Sequence, residues 1–171
     1  IRKTDGQMQY YSLSAGVKDK ISSNDEIWHI VRLGEKIYFQ SFTGWYSYDG
    51  KAVSYMDRKS GFRPLYFYTC HDKVYAQMIN GGFYEFDGQR FHLLLERTAV
   101  GNDNVVAILP YGNSGMVLLT VDSGLFVYEH GTVSALRTDI DAQLRWAKGN
   151  RAVMVGDSIL AIGTILDGIY G

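Results

Sequence analysis

One short phrase recurs four times along the chain at a spacing of about forty residues, and this periodicity restricts the fold more than any single residue does. It reads Gly44-Trp45-Tyr46-Ser47-Tyr48-Asp49-Gly50, then Gly82-Phe83-Tyr84-Glu85-Phe86-Asp87-Gly88, then Gly124-Leu125-Phe126-Val127-Tyr128-Glu129-His130-Gly131, and last Gly168-Ile169-Tyr170-Gly171. The opening glycines lie 38, 42 and 44 residues apart. Around each phrase the apolar pattern predicts four short strands. The first is apolar on both faces (Ile27–Val31, Leu65–Tyr68, Val105–Leu109, Ala152–Val155) and is expected to be buried on both sides. The second follows a polar turn, the third is the phrase itself, and the fourth follows Asp-Gly. Asp49-Gly50 and Asp87-Gly88 are strong hairpin dipeptides, because glycine accepts the positive φ of a two-residue turn.

Four antiparallel strands per repeat describe a blade of a β-propeller. The expected fold is therefore all-β, with blades over about residues 23–58, 60–97 and 101–137. A partial fourth blade covers 150–171, and a strand at 7–11, after the Asp5-Gly6 turn, is a candidate to complete it. That pairing would close a ring; the alternative is an open arc completed by further blades. Residues 1–171 are thus read as one propeller domain, a segment of something longer. One stretch departs from the repeat. Ile140, Leu144 and Ala147 fall at helical spacing between Asp139 and Lys148-Gly149. They predict about two helical turns over 139–148, with Asp139 as N-cap.

Composition narrows the function classes. A formal net charge of −1 gives no electrostatic footprint for nucleic acid, and no apolar run is long enough to span a bilayer. Cys70 is the single cysteine, so it forms no internal disulfide, and adjacent His71 on a strand would point to the opposite face. The four histidines (His29, His71, His92, His130) have no metal-ligand spacing, and Asn102-Asp103-Asn104 lacks the rest of a calcium loop. No metal, cofactor or catalytic residue is expected. Carboxylates at Asp25-Glu26 and at Asp139/Asp141 read as turn or cap residues rather than as a glycosidase pair. Aromatic residues are the abundant resource, at 14% of the chain. Tyr46, Tyr48, Tyr84 and Phe86 are assigned to packing. Trp45 and Trp146, less regular in the pattern, are candidate ligand contacts, as is His29 if its strand lines a central channel.

These residues resemble the two-component-regulator propeller repeat. The resemblance rests on Asp25-Glu26-Ile27-Trp28, on the glycine-opened aromatic phrases, and above all on Ala161-Ile162-Gly163-Thr164 followed by Gly168-Ile169-Tyr170. The equivalents of the first motif depart from it, reading Arg63-Pro64-Leu65-Tyr66 and Asn104-Val105-Val106-Ala107. The resemblance implies the periplasmic sensor region of an inner-membrane regulator of polysaccharide-using bacteria, either a hybrid histidine kinase or a one-chain transcriptional regulator. Membrane attachment and kinase or DNA-binding output would lie outside this chain. An oligosaccharide is the implied ligand, with no direct nucleic-acid contact. A structural propeller that dimerises or assembles the receptor is the second reading, and a propeller polysaccharide lyase or hydrolase the third.

Overall fold

The computed structural model describes residues 5–17, 19, 25–41, 44–57, 63–156 and 158–171. The chain divides into two compact units, Ile1–Gly61 and Phe62–Gly171. The first unit holds one antiparallel sheet in the order β1 (Ile27–Leu33), β2 (Lys36–Ser41), β3 (Gly44–Tyr48), β4 (Val53–Asp57), preceded by a 3-10 segment over Leu13–Val17. The second holds three sheets. They are β5 (Pro64–Cys70) to β8 (Phe91–Leu95) through β6 (Lys73–Met78) and β7 (Phe83–Phe86), then β9 (Val105–Tyr111) to β12 (Thr132–Leu136) through β10 (Gly115–Thr120) and β11 (Leu125–Glu129), and a three-stranded sheet of β13 (Gly149–Val155), β14 (Ile159–Thr164) and β15 (Ile169–Tyr170). Every pairing is between chain neighbours and antiparallel, so each sheet is a meander of the propeller-blade type: three complete and a fourth partial. Residues 7–11, read from the sequence as an outer strand, contain a single bridge residue, Met8.

Strand alternation builds the core of the second unit. Tyr68, Tyr75 and Phe83 project from the first of its sheets onto Ile108, Met116 and Leu118 of the next. The opposite face of that middle sheet sends Leu109, Val117 and Leu125 onto Ala152, Leu160 and Ile162 of the last. β9 lies between two sheets, and Val105 to Leu109 are all buried, as the apolar run predicts. The expectation fails for β13 and β1, whose patterns alternate with exposed residues. A doubly apolar strand is covered on both sides only where a sheet lies on each side. β13 belongs to the last sheet of its unit and has one such neighbour.

The turns also differ from expectation. Tyr48 pairs with Val53 and Phe86 with Phe91, so the Asp-Gly dipeptides open four-residue loops, not two-residue hairpins. Asp49 Oδ1 accepts from the amides of Lys51 and Ala52, and Asp87 Oδ1 from those of Gln89 and Arg90. The carboxylate supplies the acceptor that holds the longer loop. The two-residue turn belongs to the third copy, where His130 (φ 52°) and Gly131 (φ 78°) link Glu129 to Thr132.

The repeated opening glycines serve two different needs. At Gly82 a Cβ would stand 2.5 Å from the Leu95 carbonyl oxygen, and at Gly44 it would stand 2.6 Å from that of Met56. Gly124 and Gly168 instead take positive φ (88° and 73°) with no such crowding. The helix forms over Asp141–Ala147, one to two residues inside the predicted span. Asp139 is not its cap. Asp141 Oδ1 accepts from both the amide and the hydroxyl of Thr138, and those bonds hold its carboxyl below the usual range. Lys148 (φ 63°) ends the helix, with Leu144 and Ala147 buried as the stripe predicts.

Candidate functional site

In the first unit the 3-10 segment and the face of β1–β4 enclose a half-open cleft of about 230 Å³. Leu13 and Val17 form one wall, and Ile27, Phe39, Tyr46 and Val53 form the sheet side. Among the described lining residues its polar groups are the Ser14 and Tyr46 hydroxyls and the Asp25 carboxylate. Asp25 Oδ2 accepts the Tyr46 hydroxyl at 2.6 Å, and the Tyr46 ring packs on Tyr55 at 5.1 Å between centroids. The neighbouring Glu26 Oε2 accepts from Trp28 Nε1 at 3.2 Å. Each carboxylate of this pair thus orients an aromatic ring of the sheet. The described lining is mostly apolar, with these three polar groups set among aliphatic and aromatic walls.

The sequence candidates fall in two places. His29 pairs with Gln40 and Gln40 with Trp45, so the histidine and the tryptophan stand in one row across β1, β2 and β3. His29 is half-buried, and Trp45 is buried at 4% exposure, packed into the protein rather than presented to a ligand. Trp146 lies in the second unit, on the helix between β12 and β13, with 63% of its surface open. The packing assignment holds for Tyr46 and Phe86, both buried.

Three polar residues organise the second unit, of which only Gln77 carried no reading from the sequence beyond its place in a strand. Gln77, 1% exposed, donates through Nε2 to the carbonyls of Met78 and Gly81 at 2.9 Å and accepts the Val105 amide at 3.0 Å. It ties the turn before β7 to the first residue of the next sheet. Buried Asp103 accepts from the amide of Asn104 through Oδ1, and from those of Asp122 and Ser123 through Oδ2. A carboxylate that the sequence offered as a faint calcium motif is thus a clamp between two loops. His71 Nε2 lies 2.8 Å from the Gly115 carbonyl oxygen and links the β5–β6 turn to β10. The only sequence signal was a polar residue inside an apolar strand, or next to a glycine turn.

Ionisable groups follow these contacts. Burial pushes the Cys70 thiol up to about 11 and Tyr75 up to about 12. Tyr68, whose hydroxyl donates to the Val105 carbonyl at 2.8 Å, is raised by desolvation as well. Asp87 is lowered to about 2, first by its hydrogen bond with His92 and then by the amides of its loop. Among the described residues no group of three His, Cys, Asp or Glu side chains converges as a metal site would, and no helix is long and apolar enough to cross a membrane.

Consecutive four-stranded antiparallel meanders, with sheets packed face to face in the second unit, define a propeller-like all-β protein. The same fold is found in the extracellular domain of a protein described as a hybrid two component system, BT3049 from B. thetaiotaomicron. The TM-score is 0.65 at 16% identity, over 96% of this chain and 22% of that one. A chain of the S. cerevisiae dbp5 complex with nup159, gle1, IP6 and ADP matches with a TM-score of 0.55 at 9% identity, over 83% of this chain and 40% of that one. This chain therefore spans a minor part of either neighbour. No protein-family model and no curated protein matches it.

Proposed function

We propose that the chain is a non-catalytic, ligand-binding part of the extracytoplasmic sensor of a membrane-bound bacterial signalling regulator, and that its ligand is a glycan. The observation that carries the reading is the blade fold shared over nearly the whole chain with the extracellular domain of a two-component system. The proposed contact residue is Trp146. Its exposed ring offers a flat apolar surface of the kind that the apolar face of a sugar ring packs on. Ligand binding would favour one conformation or assembly of the receptor, which output domains outside this chain would read.

A thermal-shift screen of the chain against neutral and acidic oligosaccharides tests this. One glycan class is expected to raise the melting temperature, since ligand at a hundred times its Kd stabilises by about 2.7 kcal/mol. Trp146→Ala is expected to remove the shift and leave the unliganded melt in place. A melt that no glycan moves would count against glycan sensing.

A further inference from the structure

Two connections between sheets meet on one turn at the end of the second unit. Residues 96–104 join β8 to β9, and residues 137–148 join β12 to β13. Both close on the β10–β11 turn. Gly101 (φ 75°) passes so near Ser123 that a Cβ there would stand 2.5 Å from its Oγ, and Asp103 Oδ2 accepts the amides of Asp122 and Ser123. From the other side the Arg145 side chain lies against Gly124, its Nε 3.7 Å from where a Cβ would stand, and Lys148 Nζ is 3.2 Å from Asp122 Oδ1. Each connection has a sheet before it and a sheet after it, so this end belongs to neither outer face.

Each connection also carries an arginine with no acidic partner among the described residues. Arg97 opens the 3-10 turn Arg97–Val100 and is half-buried, and its Nε is a buried donor without an acceptor. Arg145 stands exposed in the last turn of the helix, beside Trp146. The nearby carboxylates are engaged elsewhere: Asp103 takes three amides and Asp122 faces Lys148. Glu96 and Asp139, exposed on the same two connections, form no ion pair with either arginine. A partly desolvated guanidinium without an acceptor is unfavourable in the free protein, and a bound oxyanion would supply what it lacks. The planar fork of arginine takes a carboxylate through two parallel N–H bonds.

We propose that the glycan of the sensor reading is an acidic one. One uronic-acid unit stacks its ring on Trp146 and gives its carboxylate to Arg145, and a neighbouring acidic unit reaches Arg97 across the β10–β11 turn. The inference rests on the glycan reading and adds the charge of the ligand to it.

Calorimetric titration at neutral pH tests it, with oligogalacturonate, oligomannuronate, oligoguluronate and oligoglucuronate, each beside its carboxyl-reduced neutral form. The titrations use the wild-type chain, Arg145→Gln, Arg97→Gln and Trp146→Ala. Arg145 is exposed, so Arg145→Gln is expected to keep the wild-type melt. At least one acidic probe is expected to bind the wild type. Its carboxyl-reduced form and the Arg145→Gln and Arg97→Gln variants are each expected to lose at least about tenfold in affinity, because charged hydrogen bonds are removed. Carboxyl reduction takes away the same interaction from the ligand side, so the test does not depend on how well Arg97→Gln folds. Neutral forms that bind as tightly as the acidic ones, and lose binding in Trp146→Ala, overturn the acidic assignment and leave the glycan reading standing. Acidic binding that Arg145→Gln leaves unchanged overturns it as well. No binding by any probe, acidic or neutral, overturns both.

Discussion

Replacing Gln77 by methionine keeps nearly the volume of the side chain and removes its hydrogen bonds, which isolates what the buried amide contributes. Four groups surround that amide, and they are not equally dependent on it. The Met78 carbonyl also accepts the Gly81 amide at 3.2 Å, and the Gly82 carbonyl also accepts the Met78 amide at 3.1 Å. Both stay bonded in the variant. The Val105 amide, on a residue with no exposed surface, loses its acceptor, and the Gly81 carbonyl loses its donor. A buried group stripped of its partner costs about 1–3 kcal/mol. Gly81 is half-buried, so water relieves part of its loss. The sum is about 2–4 kcal/mol, carried mainly by Val105. Urea unfolding followed by circular dichroism should show this as a lower midpoint with an unchanged slope. Gln77→Glu should do worse, because it brings a charge into the same site and aims an acceptor at the Met78 and Gly81 carbonyls. A loss below about 0.5 kcal/mol in Gln77→Met would refute the reasoning, since it would mean that the amide of Val105 finds another partner at no cost.

The opening glycines give a paired test. Gly82→Ala should cost about 1–3 kcal/mol through overpacking against Leu95, and Gly82→Asn should cost more. Gly124→Asn should cost less than Gly124→Ala, because asparagine tolerates the left-handed region that Gly124 occupies; equal ranking at both sites in denaturant titrations would contradict the assignment. Asp87 has a folded pKa of about 2, below its unfolded value, so its contribution to stability is present above about pH 4 and is lost as pH falls toward 2. Asp87→Asn should flatten that part of the acid limb, read by urea midpoints between pH 5 and pH 2, and an unaltered limb would refute the role. Cys70, buried with its thiol at about 11, should resist a thiol-specific chromophoric reagent at pH 8 in the folded protein and react fully on unfolding. Rapid labelling of the folded chain would contradict its burial.

The blade architecture was legible because it is written many times over. Period-two alternation, a glycine-opened phrase and turn residues all agree in each copy, so an error in one is corrected by the others. The short helix was legible from Ile140, Leu144 and Ala147, though its cap was not. The helix starts at Asp141 behind Ile140, with no side-chain cap, and Asp141 accepts from Thr138 instead of Asp139 capping the first turn. Turn lengths were misjudged where Asp49 and Asp87 bond two amides each, because a dipeptide does not reveal what its side chain will cap. Burial of the first strands was overestimated for β1 and β13, since an apolar strand does not show whether a sheet will lie on both of its sides. The role of Gln77, and the partners of Asp103 within the turn expected at 102–104, were not legible for a related reason. A buried polar side chain is justified by partners from another repeat, and those partners are distant in sequence. Of the candidate contacts, Trp45 and Trp146 looked alike on paper; burial separates them, and only Trp146 offers its ring to solvent.

Hydrogen exchange of the chain with and without the best-binding oligosaccharide locates the ligand most directly. The sensor reading with Trp146 as the stacking residue predicts new protection around residues 138–149, absent in Trp146→Ala. Protection confined to the cleft of β1–β4, or no protection with any oligosaccharide, would contradict it.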